Sequence, residues 1–307
     1  MNVVARNWCV VFLFFSQFDK IFSFRTTQSI RARQSLAGHH HAFQSYLAVG
    51  KRSNNSSRQF GGTSTPKTMA ATGDNESVSN PLADLGLPQP LLLGSASFTR
   101  KLILGEMGVP YSKFVRPIDE KALGDRSENA PPRELVLLLA NAKMDRLVQE
   151  LTENNPDDLP ENDGDKGWVV LTGDQVVTCG GKILEKPESV EEAKEFVEGY
   201  AASPPSTVGS VVLYHHPSGI RVDGVDTATI HFNSETLGGG GSSALIDSLI
   251  EQGEPVMSCA GGLMIEHPLT QHHVDRIDGT EDSVMGLSKD LVSRLLQELA
   301  ETLKSEQ

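Results

Sequence analysis

Cysteine is nearly missing from this 307-residue chain: there are three, and only Cys179 and Cys259 lie beyond the N-terminal segment. That excludes a disulfide framework and suits a reducing compartment. Basic charge is scarce past residue 72. Residues 1–72 carry nine Lys/Arg against one acid, Asp19, whereas the remainder holds 18 basic and 39 acidic side chains. So acidic a body is a poor partner for a nucleic-acid polymer or an anionic membrane, although a small cationic pocket can still hold one phosphate ligand. Long apolar runs are missing as well, since the stretch Trp8 to Phe15 is too short to span a bilayer as a helix. There is no Walker sequence, no dinucleotide glycine fingerprint and no internal repeat.

What the N-terminal segment does contain reads as an address. Arg6 precedes the apolar stretch, and "FSFRTTQSIRARQS" and "KRSNNSSRQFGGTSTPK" follow, rich in Ser, Asn and basic residues. A signal-peptide core joined to an Arg/Ser-rich, acid-poor continuation resembles the bipartite presequences of plastids, with Phe24 just after a cleavage point. The alternatives are a mitochondrial presequence, or an over-extended reading frame whose true start is Met69, which leaves the protein in the cytoplasm. The expected organisation is a targeting presequence and disordered linker over 1–80, then one folded domain over 81–307.

The remainder alternates short β-branched runs with helical patterns, which predicts an α/β fold. "LLLG", "GWVVLTGDQVV", "STVGSVVLYH" and "VDTATIHF" read as strands. "TRKLILGEMG", "PPRELVLLLANAKMDRLVQELTE" and "SVEEAKEFVEGYA" read as helices, with a Gly C-cap, an N-terminal Pro and a Ser N-cap respectively. "ENNPDDLPENDGDKG" and "NSETLGGGGSSAL" read as loops.

Two stretches carry chemistry. In "LLLGSASFTRK" a strand hands over to a helix, where Ser95, Ser97, Arg100 and Lys101 would surround unpaired backbone N–H groups and form a phosphate cradle. A capped helix with surface cations is the plain alternative. In "WVVLTGDQVVTCGGKILEKP" Asp174 ends an apolar strand, ahead of a Gly-Gly turn, Lys182, Glu185 and Lys186. A carboxylate there can hold a divalent cation or take a proton from water, and the lysines can neutralise phosphate oxygens. Lys143, in "LANAKMDRL", is a third candidate cation.

The order of these segments, continued by "PIDE", "CAGGLMIE", "VDRIDG" and "VMGLS", resembles the Maf family of nucleoside triphosphate pyrophosphatases over about residues 90–300. The resemblance implies a Maf/ITPase-like mixed sheet with flanking helices and a cleft between two lobes. It implies a divalent metal, Mg²⁺ or Mn²⁺, a homodimer, and hydrolysis of a nucleoside triphosphate to the monophosphate and pyrophosphate. It makes Asp174 the catalytic carboxylate and, with Glu120 of the acidic pair Asp119-Glu120, a metal ligand. Ser95, Arg100, Lys101, Lys143 and Lys186 fall at its substrate-binding positions. Thr99, Gln175 and Glu266 fall at its base-selecting positions, where Gln175 and Glu266 are similar to the 7-methyl-GTP pyrophosphatase branch. The chain departs from the family's pattern at Phe98, Thr99, His267-Pro268 and the tetraglycine stretch. Because the family is also associated with septum formation, a nucleotide-binding regulator with weak or no catalysis is the alternative function.

Overall fold

The computed structural model describes residues 79–154, 156–161 and 166–306, so the expectations for the presequence lie outside it. The first element is helix α1, Pro81–Leu85. Its N-cap is Asn80, whose side-chain oxygen accepts from the N–H groups of Leu82 and Ala83 while its amide donates to Gln89 at 2.6 Å. The folded unit therefore begins ahead of Pro81. Strand β1 is Leu91–Leu93 and is buried throughout. At the next residue a Cβ would come within 2.6 Å of Leu147 and 2.7 Å of Thr172, so only Gly94 fits the turn into helix α2, Phe98–Glu106.

After β2, Tyr111–Lys113, a 3-10 turn at Glu120–Ala122 leads to the long helix α3, Pro132–Glu153. Its buried residues, Leu135, Val136, Leu139, Ala140, Met144, Leu147 and Leu151, recur at three- and four-residue spacing. Strands β3 (Trp168–Thr172), β4 (Gln175–Cys179) and β5 (Lys182–Leu184) follow, with a hairpin at Gly180-Gly181 between the last two, as the sequence predicts. Helix α4, Val190–Tyr200, has the expected N-cap, Ser189 accepting from the Glu192 N–H. Strands β6 (Ser206–His216) and β7 (Arg221–Phe232) are the longest.

The glycine-rich stretch is not one loop. Helix α5, Ser234–Leu237, and helix α6, Gly241–Glu251, flank it, and only Gly238–Gly240 turn between them. The reason is local: Gly239 and Gly240 take positive φ, 61° and 98°, so they supply the left-handed corner from which α6 starts. Helix α7 (Pro268–Gln271), strand β8 (Val274–Asp278), helix α8 (Glu281–Met285) and helix α9 (Lys289–Ser305) complete the chain.

Among the described residues the strands form one eight-stranded mixed sheet. β1 pairs in parallel with β2 and β3, and every other pairing is antiparallel. Strands β3 and β4 share one edge of β6 end to end, β3 along 212–216 and β4 along 206–209, while β7 takes the other edge. Side chains of β1, β3 and β6 alternate between two faces. Leu91, Leu93, Val169 and Leu171 pack with α9, and Leu92, Val170, Val212 and Phe114 pack with α3. Each leucine that α9 buries (Leu291, Leu295, Leu296, Leu299) contributes about 1.5–3 kcal/mol. A second core, with Val177, Val197, Ile230, Phe232, Ile246 and Leu249, gathers α4, α5 and α6 around the far ends of β4 and β7. The break between β3 and β4 falls opposite the middle of β6, between the stretches that pair with each, and it holds Asp174.

Candidate active site

Residues Gly173 and Asp174 interrupt a strand direction that β6 keeps straight. A Cβ at 173 would press to 2.5 Å from the Ser210 carbonyl oxygen, which explains the glycine. The Ser210 N–H donates to the Asp174 carbonyl at 2.9 Å, and the Asp174 N–H donates to the Ser210 hydroxyl at 3.1 Å. The corner is thus fixed by its backbone, and the Asp174 side chain is free to turn away from the sheet.

That side chain is 8 % exposed, and it meets Lys143 from α3: Nζ lies 2.5 Å from Asp174 Oδ1 and 3.1 Å from Glu120 Oε1. One ammonium therefore bridges the two carboxylates named from the sequence. Burial pushes the Asp174 carboxyl above the ordinary carboxylate range; Lys143 and Arg100 pull it back, and Glu120 adds to the rise. A carboxylate held in this balance is a better proton acceptor than an exposed one.

Arg100 and Lys101, adjacent in sequence, are put to different uses. Arg100 is 8 % exposed, and its guanidinium donates to the carbonyls of Gly286 and Gly173, each at 2.9 Å, and to Ser95 Oγ at 3.1 Å. Burial lowers its pKa, with Asp174 and Glu120 opposing. Far from standing out at a helix head, Arg100 ties α2 to the Asp174 corner and to the turn after α8. Ser95 Oγ also accepts from the Ser97 N–H, and Ser97 Oγ caps α2 at the Arg100 N–H and meets Thr99 Oγ1 at 2.9 Å. Lys101 is half-buried and makes no hydrogen bond or ion pair with this cluster.

The remaining predicted residues bracket α8. Gln175 Nε2 donates to the Val284 carbonyl at 2.7 Å, and Gly286, at φ 113°, leaves room for its Oε1. Glu266 faces the start of the same helix. Its carboxyl is pushed up by burial and by the carboxylates Glu281 and Glu254, and it makes no ion pair among the described residues. Lys186 is exposed just beyond β5; with Glu266 and Glu254 it makes up the charged surroundings of Cys259, whose thiol burial pushes up to about 12. Among the described residues no three His, Cys, Asp or Glu converge as a metal-ligand group.

Sequence reasoning missed two supports. Arg126 holds the Glu120 turn: it pairs with Glu185 through Nε at 2.6 Å and donates to the carbonyls of Leu123 and Glu120. Nothing in the local pattern marks that long-range pair. Gly286 lies in the "VMGLS" segment, where a glycine after an apolar helix end signals a left-handed cap, but the Arg100 bond to its carbonyl is tertiary.

With this geometry in place, comparison with known proteins is informative. Residues 90–299 match the family described as Maf-like protein. The chain is 35% identical over 213 residues to a protein named 7-methyl-GTP pyrophosphatase from Dictyostelium discoideum, covering 69% of this chain and 98% of that one. It is 30% identical over 207 residues to a nucleoside triphosphate pyrophosphatase from Corynebacterium aurimucosum, covering 67% and 92%. It is 29% identical over 208 residues to a dTTP/UTP pyrophosphatase from Salinibacter ruber, covering 68% and 89%.

Proposed function

This chain belongs to the Maf family, and from that premise we propose that it hydrolyses a nucleoside triphosphate to the monophosphate and pyrophosphate. One observation carries the reading: a buried carboxylate, Asp174, faces an ammonium, Lys143, beside Glu120 and Arg100, at a break in an otherwise regular sheet. In this reading Asp174 accepts a proton from a water molecule. The water oxygen bonds to the α-phosphorus, the bond from that phosphorus to the bridging oxygen breaks, and pyrophosphate leaves with the electron pair. Lys143 balances charge on the phosphates, and Lys101 and Lys186, which make no hydrogen bond or ion pair among the described residues, are available to the leaving group.

A divalent cation fits this site on the chemistry of its donors. Asp174 and Glu120 converge on Lys143 Nζ, so a divalent cation held by the same two carboxylates would take the place of that ammonium and release it towards the phosphates; Mg²⁺ or Mn²⁺ is commonly held by one or two carboxylates with substrate phosphates completing the shell. Such an ion would neutralise charge on the phosphoryl oxygens. A homodimer is part of the same proposal, supported by family membership and checked by light scattering.

For the base, the proposal is 7-methyl-GTP. Glu266 is a carboxylate without a cationic partner among the described residues, and guanine offers it two adjacent donors, N1–H and the N2 amine. The test is pyrophosphate release with Mg²⁺ across 7-methyl-GTP, GTP, UTP, CTP and thymidine triphosphate. Release from 7-methyl-GTP above the others supports the reading, and no release from any nucleotide would leave the regulator as the function. The charge contrast of residues 1–72 supports import into an organelle, plastid or mitochondrion. A fluorescent protein fused after residue 72 should leave the cytosol; uniform cytosolic signal would favour a start at Met69.

A further inference from the structure

Two buried hydroxyls flank the catalytic corner and reach across to the helix that carries Lys143. Thr172, the last residue of β3, is 0 % exposed and donates to the Ala140 carbonyl at 2.8 Å. Ser210, opposite Asp174 on β6, is 1 % exposed and donates to the Val136 carbonyl at 2.7 Å while it accepts from the Asp174 N–H. Val136 and Ala140 are one helical turn apart. Lys143 comes three residues after Ala140 and seven after Val136, so all three share one face of α3.

Carbonyls inside a regular helix already accept from the N–H four residues on. The helix has no need of these hydroxyls to satisfy its own groups. What the two bonds add is position: they fix the height of α3 against the strand break on both sides of Asp174. Lys143 reaches Asp174 on a flexible four-carbon stem, so the placement of its root decides whether Nζ sits between Asp174 and Glu120. Small displacements of such a constellation are costly, about 10²-fold for an ångström.

We infer that Thr172 and Ser210 are positioning residues, which set helix α3 against the catalytic corner and so hold Lys143 on Asp174. The inference rests on the pyrophosphatase reading for its kinetic consequence and on geometry alone for its structural one.

The side chain of Thr172 lets packing and hydrogen bonding be separated. Its methyl packs against Gly94 and its hydroxyl bonds to Ala140. Thr172→Val keeps the methyl and loses the hydroxyl; Thr172→Ser does the reverse. The measurement is kcat and KM for pyrophosphate release on both variants, with Tm. Thr172→Val should lose about tenfold or more in kcat with KM within about twofold, and Thr172→Ser should stay within about twofold of the native chain. Equal kcat for the two variants, or a greater loss in Thr172→Ser, would overturn the inference and leave packing as the role of Thr172. Should Thr172→Val fail to fold, Ser210→Ala takes its place, with the same expected loss in kcat and the same reversal if kcat is unchanged.

A readout independent of turnover is the thermal double-mutant cycle of Thr172→Val with Lys143→Met. Thr172 bonds the backbone of Ala140 and has no bond to the Lys143 side chain, so coupled Tm shifts would show that the hydroxyl acts through the helix, and strictly additive shifts would overturn the inference. Absence of pyrophosphate release by the native chain would sink the proposed activity, while the cycle would still decide the positioning claim.

Discussion

Lys143 Nζ and Asp174 Oδ1 lie 2.5 Å apart, brought together from the middle of a 22-residue helix and from a two-residue gap between strands. Burial alone would favour the neutral acid at Asp174, and the ammonium opposes it. Asp174→Asn keeps the shape and the backbone bonds to Ser210, but the amide cannot accept a proton from water. Turnover should fall by at least about 10²-fold while nucleotide binding, followed by calorimetry, is largely kept. Near-native kcat in this variant would remove Asp174 from the catalytic role.

Arg100 makes a different prediction from the other cations. Because it joins the carbonyls of Gly173 and Gly286 inside the protein, Arg100→Ala strips two buried acceptors of their donor. At about 1–3 kcal/mol for each orphaned group, unfolding stability should drop by several kcal/mol, along with binding and turnover. Lys101→Ala, lacking such partners, should weaken nucleotide binding with little change in stability. Urea unfolding of the two variants separates these cases, and equal losses would contradict the division.

The difference between these neighbours also shows how far the sequence can be read. Periodicity, capping residues and the Gly-Gly turn announce α2, α3, α4 and the β4–β5 hairpin, because those signals are local. Asp174 is legible for the same reason, as a carboxylate between glycine and a strand. What is hidden is every bond across large sequence separation: Arg100 to Gly286, Arg126 to Glu185, and Ser210 to Val136. The tetraglycine misreads as a loop because glycine's cost inside a helix says nothing against two left-handed residues seated just before one. Lys143 looks like a surface residue by default, and only the docking of α3 on β6 turns it inward.

The start of the folded unit gives a third prediction. A chain of residues 79–307 should fold and show full activity, since the first described helix is capped by Asn80. A chain beginning at Pro81 loses that cap and the bond from Asn80 to Gln89, and its stability should fall by about 0.5–2 kcal/mol. Thermal melts of the two chains make the comparison. Equal Tm values would show that the cap contributes nothing, and failure of both to fold would place part of the N-terminal segment in the domain.

In the proposed reading of the base, Glu266 couples recognition to stability. Its carboxyl is raised in the folded state by burial and by Glu281 and Glu254. A raised carboxyl binds its proton more tightly folded than unfolded, so stability falls as pH rises from the unfolded value, about 4.3, through the higher folded value. At neutral pH, above the unfolded value, this carboxyl is therefore a standing cost to the fold. Glu266→Gln removes it, and the Tm at pH 7 should rise by about 1–3 °C; below about pH 4, where the native group is protonated in both states, the gain should vanish. The same substitution replaces an acceptor pair by an amide, which no longer matches the two donors of guanine and suits the acceptor–donor–acceptor edge of uracil. The kcat/KM ranking should accordingly move from 7-methyl-GTP towards UTP and thymidine triphosphate, by about 10-fold or more if the unpaired polar edge dominates. A rise in Tm with an unchanged ranking would mean that Glu266 lies outside the base pocket. An unchanged Tm with a shifted ranking would mean that the carboxylate is better solvated than its neighbours suggest, leaving its role in recognition intact.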